Sequence, residues 1–337
     1  MEYEEIHCRK VVVRKFGGAD VLETIETTLS APPPGHARVK VLAIGVGFTD
    51  LAARAGEYLL QRKVPFTPGY ELVGEVVDSH GCDSDVPGSG TRVAVALPKM
   101  GAYSEYVVVP TWLLVPVPDG LDSITAATIP LDYLTALSLL ERHGHVQEGA
   151  SVLIQGASGG VGEALSQLGR LKRLKMYGTA SSEDRLARNG VRFIDYRNED
   201  FAAVVRRREP GGVQAVFDHI GGTNLRKGHR LLAPGGVLVS YAFMGRPGRI
   251  FADTLRGGAA LQLRGLLPGK RTALCMVPRE IRSDHRWYRD SLRRLLDMTY
   301  KGDIRAEIGA VAALTDVADV HRAFERRALT GKAVLTT

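Results

Sequence analysis

A chain of 337 residues, 45% of them hydrophobic, with a mean hydropathy of −0.04, exceeds one typical domain and carries enough apolar surface for a sizeable core. It contains no run of about 18 apolar residues, and its opening MEYEEIHCRK is unlike a signal peptide, so a cytoplasmic protein without membrane insertion is expected. The net charge of +7 is spread among acids, and its denser stretches, 206–208 and 279–294, lack interleaved aromatics, so no nucleic-acid partner is expected.

Residues 8–13 and 39–44 read as strands separated by the loop APPPG, and 50–54 as a short helix. Strand signals continue at 71–77, 92–97 and 103–109, giving a β-rich first domain. Cys8, Cys82 and Cys275 lie far apart and form no CxxC pair, so neither a disulfide framework nor a structural zinc lobe is readable. His80 and Cys82 have no further ligand cluster nearby, and no metal is expected there.

From Ser123 the apolar period becomes helical and runs to Gly144, a helix expected to bridge into a second domain. Strands are then expected at 152–154, 175–178, 193–195, 213–218 and 236–240, with helices from 160, near 183–188, near 200–208 and over 223–232. That alternation predicts a parallel sheet covered on both faces, an α/β doubly wound architecture. Residues 245–278 are less regular, with room for an edge strand. A helix over 285–301, a strand over 304–311, a helix over 315–329 and a strand over 332–336 complete an α+β tail that can return to the first domain.

The richest stretch is LIQGASGGVG at 153–162, a strand running into a glycine-rich turn and a helix. This is the order a dinucleotide fingerprint requires, here as A-x-G-x-x-G from Ala157, with the pyrophosphate received at a helix N-terminus. A side chain at Gly159 would block the ligand, and one at Gly162 would hold the helix off the strand. Candidate cofactor contacts are therefore Ala157, Ser158, Gly159, Gly160, Val161 and Gly162. The second strand ends without the acid that favours NAD. Ser181, Ser182 and Arg185 offer donors and a cation to a 2′-phosphate, and Tyr196 ends the third strand nearby, so NADPH is expected.

The motifs GAYSEYVVVP (101–110), PLDYLTA (130–136), GASGGVG (156–162), GTASSEDR (178–185), VFDHIGG (216–222), LLAPGGVLVSY (231–241) and GKAVL (331–335) recur in the order of one superfamily. The chain resembles the medium-chain dehydrogenase/reductases, in their zinc-free quinone oxidoreductase and VAT-1-like branch. The resemblance implies a GroES-like catalytic domain, 1–122 with 275–337, split around a Rossmann NADPH-binding domain, 123–274. It also implies a cofactor between them, a small-molecule substrate and a homodimer. Further cofactor contacts are implied at Ile220, Ala242, Phe243 and Lys332. Positions that hold zinc ligands in metal-dependent relatives carry Gly47 and Tyr70 here, so zinc is not expected.

Without a Lewis acid, the reaction that remains is hydride delivery to a carbon conjugated to a carbonyl, in a quinone or an enone. An enoyl thioester is the alternative substrate, and a non-catalytic NADPH-binding protein the alternative role. Tyr58 matches the tyrosine of the relatives' R-x-G-x-Y segment; Tyr58 and Tyr70 are the candidate proton donors, with Tyr133 and Asp132 near a third former ligand position. Gly47 stands where quinone-reducing relatives usually carry Asn, which enlarges the pocket. His219 follows the fourth strand, where it can face the nicotinamide or serve the fold.

Overall fold

The alternation after residue 150 folds as one all-parallel sheet. The computed structural model describes residues 4–80, 86–244 and 248–337; Cys82 lies outside the described residues. The sheet runs Arg192–Asp195, Lys175–Ala180, Ser151–Ile154, Val213–Asp218, Leu232–Ser240, Arg271–Leu274, every neighbouring pair parallel. In chain order this is 3-2-1-4-5-6, the doubly wound arrangement of a Rossmann domain. Its inner strands are buried on both faces, with Val152, Leu153, Val216, Phe217 and Leu238 fully enclosed, which is why they read as apolar runs. This sheet and its helices form the compact unit 135–276.

The second compact unit joins residues 1–134 to 277–337. Its sheet runs Ile308–Ala313, Lys332–Thr336, His36–Val46, Glu71–His80, Arg92–Ala96, Val115–Pro116, with Tyr106–Pro110 also on His36–Val46. All contacts but the first are antiparallel. The late strand Lys332–Thr336 therefore lies directly against the early strand His36–Val46. Helix Ser123–Ala127 packs on the strands of this unit.

Several elements depart from the sequence reading. The hairpin strand Leu22–Leu29, paired with Ile6–Val13, was not expected, because its outward positions are Glu and Thr and only one face is shielded. The helix expected over 124–144 is broken into Ser123–Ala127, Pro130–Leu137 and a π-helical turn Ser138–His143; Pro130 has no N–H to continue the first segment. Near 183–188 there is no α-helix, only a 3₁₀ turn Ala187–Asn189 closed by Gly190 at φ 69°. Within 245–278 stand a helix, Ile250–Gly265, and the edge strand Arg271–Leu274. That helix exposes Leu255 and Leu263 and contains paired glycines, which erases the amphipathic signal.

Those paired glycines are not equivalent. A Cβ at Gly257 would lie 2.3 Å from Phe243, whereas one at Gly258 meets nothing within 4 Å. Gly257→Ala is expected to cost about 1–3 kcal/mol by overpacking, and Gly258→Ala to stabilise by up to about 1 kcal/mol through helix propensity. Urea unfolding of the two variants should give opposite signs.

Candidate active site

In the parallel unit, strand Ser151–Ile154 ends at Gln155 and the chain turns through Gly156 into helix Gly160–Leu171, with Gly159 at its N-cap. A Cβ on Gly162 would lie 2.4 Å from the Gly156 carbonyl oxygen and 2.7 Å from the Ala157 Cα, so this glycine lets the helix seat on the turn. A Cβ on Gly159 would meet only the Gly156 oxygen, at 3.5 Å. Internal packing leaves that position open, as an approaching phosphate needs. The first-turn N–H groups point outward from the helix start, where an anion is favoured. Beside them Gln155 Nε2 is buried without a hydrogen-bond partner among the described residues.

The turn is braced from the second strand: Thr179 Oγ1 accepts from the Gly156 N–H at 2.9 Å and donates to Gln155 Oε1 at 3.1 Å. Past that strand, Arg185 donates to the Ser158 carbonyl at 3.2 Å, which ties its guanidinium to the glycine turn. Ser182 donates to Asp184 at 2.8 Å, and Ser181 and Tyr196 are exposed. Arg197, which the sequence reading passed over, donates to the Ser181 carbonyl and pairs with Asp195 at 3.6 Å. The signal was present in the segment IDYR, one residue beyond Tyr196.

The fourth and fifth strands bring Ile220, Ala242 and Phe243 to the same C-terminal edge of the sheet. Ile220 is exposed, whereas the Phe243 ring belongs to the hydrophobic core, leaving its backbone as the part that can face a ligand. Asp218 accepts from the Gly221 N–H at 2.7 Å, and burial pushes its carboxyl up to about 7.

In the antiparallel unit, Tyr58 and Tyr70 meet edge to face, ring centroids 6.0 Å apart at 82°. Tyr70 is 2% exposed. Burial pushes the Tyr58 phenol up to about 12, opposed by the Tyr70 hydrogen bond, and raises Tyr70 as well. Both stay protonated at neutral pH. The nearby Asp50, which the sequence reading did not single out, accepts N–H groups from Gly47 at 2.9 Å and Gly69 at 3.0 Å. Burial raises its carboxyl to about 6, and its charge disfavours ionising either tyrosine. Around Gly47, a Cβ would come no closer than 3.5 Å to Thr49 Oγ1 and 3.9 Å to Leu131, so the position has spare room.

Lys332, expected at the cofactor, is ion-paired inside this unit. Its ammonium lies 2.5 Å from Glu71 and 2.9 Å from Asp132, with its side chain 6% exposed. Asp132 in turn is held by this lysine rather than by a tyrosine. Glu71 also accepts from the Leu131 N–H at 2.7 Å, anchoring the start of helix Pro130–Leu137. Gly45 makes the space, since a Cβ there would lie 2.6 Å from the Glu71 carboxylate. The two carboxylates hold Lys332 charged despite burial. Tyr133 is buried at 2% exposure.

A glycine turn on a helix N-terminus at the edge of a doubly wound sheet, together with a unit presenting buried phenols, defines a dinucleotide-dependent oxidoreductase. Residues 33–119 match the alcohol dehydrogenase GroES-like domain, and residues 190–335 the family described as zinc-binding dehydrogenase. The chain is 32% identical over 344 residues to the human synaptic vesicle membrane protein VAT-1 homolog, covering 97% of this chain and 86% of that protein. It is 32% identical over 333 residues to 2-haloacrylate reductase of a Burkholderia species, covering 96% and 97%. A mycobacterial quinone oxidoreductase structure superposes with a TM-score of 0.81 at 27% identity, covering 98% of this chain and all of that one. The chain belongs to the medium-chain dehydrogenase/reductases, in the quinone oxidoreductase and VAT-1 branch. No helix among the described residues is long and apolar enough to cross a membrane.

Lys332→Met is expected to destabilise the protein by about 3–5 kcal/mol, because two buried carboxylates lose their counter-charge. Adding Glu71→Gln should recover part of that loss, a coupling that a double-mutant cycle in guanidinium would measure.

Proposed function

We propose that the protein is an NADPH-dependent, zinc-independent oxidoreductase that reduces a quinone or an α,β-unsaturated carbonyl compound. The observation that carries this reading is the Tyr58–Tyr70 pair. At a position where zinc-dependent relatives hold a metal ligand, this chain has a buried phenol packed edge to face against a second phenol. Gly47 at the companion position offers no side-chain donor, so the residues present do not fit a catalytic zinc.

When bound, the nicotinamide supplies the hydride; the chain's residues supply binding, charge stabilisation and a proton. Hydride addition to a conjugated alkene leaves negative charge spread towards the carbonyl oxygen, where a phenol can hydrogen-bond or protonate it. Tyr58 fits that role because Tyr70 packs against it and favours its ionised form, in part offsetting the burial that disfavours it. Tyr133 and Asp132 are assigned no proton transfer, since Asp132 is engaged by Lys332.

For the cofactor, Ala157 to Gly162 receive the pyrophosphate and Ser181, Ser182, Arg185 and Arg197 the 2′-phosphate, beside Tyr196. Ile220 and the backbone of Ala242 and Phe243 flank the other half. The name of the Burkholderia relative supports an activated-alkene acceptor. The reading expects a cytoplasmic homodimer acting on a small molecule.

The decisive assay is NADPH consumption by EDTA-treated protein against quinones, enones and enoyl-CoA thioesters, with products identified. Selective turnover of quinones or enones supports the proposal. Turnover of thioesters alone moves the assignment to an enoyl-thioester reductase, and NADPH binding with no turnover of any class moves it to a non-catalytic role. Tyr58→Phe should lower kcat about 10²-fold or more, the scale of general acid catalysis, with cofactor affinity unchanged. Arg185→Ala should weaken NADPH at least tenfold more than NADH; equal weakening in fluorescence titrations would reject its 2′-phosphate role.

A further inference from the structure

The two phenols of the antiparallel unit arrive on two different segments. Helix Phe48–Arg54 leads into Tyr58, and past its end the N–H groups of Ala55 and Glu57 still donate to the carbonyls of Leu51 at 3.0 Å and Ala52 at 2.8 Å. Tyr70 comes from the turn through Pro68 and Gly69 that opens strand Glu71–His80. The ring centroids are 6.0 Å apart, so their contact depends on how the helix and the turn are set against each other.

One side chain spans that junction. Asp50 stands in the first turn of the helix, and one of its carboxylate oxygens accepts the Gly47 N–H at 2.9 Å, as an acidic residue does in a capping box. The other oxygen reaches out of the helix to the Gly69 N–H at 3.0 Å. The carbonyls of the turn are bonded elsewhere: that of Gly69 accepts from Gly101 at 2.9 Å and Ala102 at 3.1 Å, that of Pro68 from Tyr103 at 3.0 Å and that of Tyr70 from Leu97 at 2.7 Å. Gly69 has φ 95°, and a Cβ there would lie 2.6 Å from the Tyr103 ring, so the turn requires glycine where Asp50 meets it. The Tyr103 phenol, 3.1 Å from His321 Nε2, also interacts with the carboxylate.

The choice of a carboxylate is informative. Asp50 is 1% exposed, and it forms no salt bridge among the described residues, the Lys332 ammonium being held by Glu71 and Asp132. Burying a charge without a counter-ion is costly. A neutral amide would avoid that cost, yet Asn has one acceptor oxygen and would turn its NH₂ towards the second N–H. What the carboxylate adds is two acceptors on one short side chain, one for each segment.

We infer that Asp50 is a positioning residue for the reaction, holding the helix that delivers Tyr58 against the turn that delivers Tyr70. The inference rests on reading Tyr58 as the phenol that serves the acceptor.

The test is a double-mutant cycle on kcat, measured with NADPH and the quinone or enone that the wild type reduces fastest. Asp50→Asn should lower kcat about 10- to 100-fold, the scale of a small misplacement at a reacting centre, and leave the KM for NADPH unchanged. In a Tyr58→Phe background the same substitution should cost less than about twofold, because the group it positions is already gone. Should Asp50→Asn not fold, Asp50→Glu carries the same cycle: it keeps the charge and the helix cap but displaces the second oxygen from Gly69. Wild-type kcat in the Asp50 variant would overturn the inference. An equal fold-loss with and without the Tyr58 hydroxyl would overturn it too, marking the residue as a prop for the fold alone. Full kcat in Tyr58→Phe by itself would overturn the phenol reading, and the positioning role with it.

Discussion

The antiparallel unit depends on one ammonium group with nowhere else to go. Lys332 enters from the strand that closes the sheet, Glu71 from the start of a central strand, and Asp132 from the first turn of a helix. Two buried carboxylates close together would repel and be costly to desolvate, and a buried ammonium alone would be as costly. Each is tolerable only in the presence of the others, so the triad fixes three distant segments at once. Tyr70 immediately precedes Glu71. The phenol pair is thus built on backbone that the triad holds in place.

Charge is handled differently in the parallel unit, where the important groups are left partly open. Helix Gly160–Leu171 presses so closely on its turn that only glycine fits at position 162, yet Gly159 has space before it. Around that opening the sheet places cations towards one edge and the hydrogen-bonded His219 and Tyr241 towards the other.

What could be read from the chain beforehand divides along physical lines. The glycine turn was legible because its residues are contiguous and their spacing directly reflects backbone contact. The parallel sheet was legible because strands buried on both faces are apolar throughout. The Lys332 triad was not legible because its partners lie at positions 71 and 132, and nothing local marks a lysine bound for two buried acids. Asp50 was passed over for the same reason: it is defined by N–H groups of Gly47 and Gly69, which the fold brings together. The helix Ile250–Gly265 was invisible because much of its leucine faces outward, contrary to the pattern by which surface helices are recognised.

The two units also differ in when they can be completed. Residues 135–276 form one unbroken stretch, so every strand of the parallel sheet is available once that stretch has left the ribosome. The other sheet cannot close until Lys332–Thr336 arrives to lie against His36–Val46. Until then the early strand carries an unpaired edge, and Glu71 and Asp132 lack their counter-charge. During synthesis, the vulnerable half of this protein is the one that begins first.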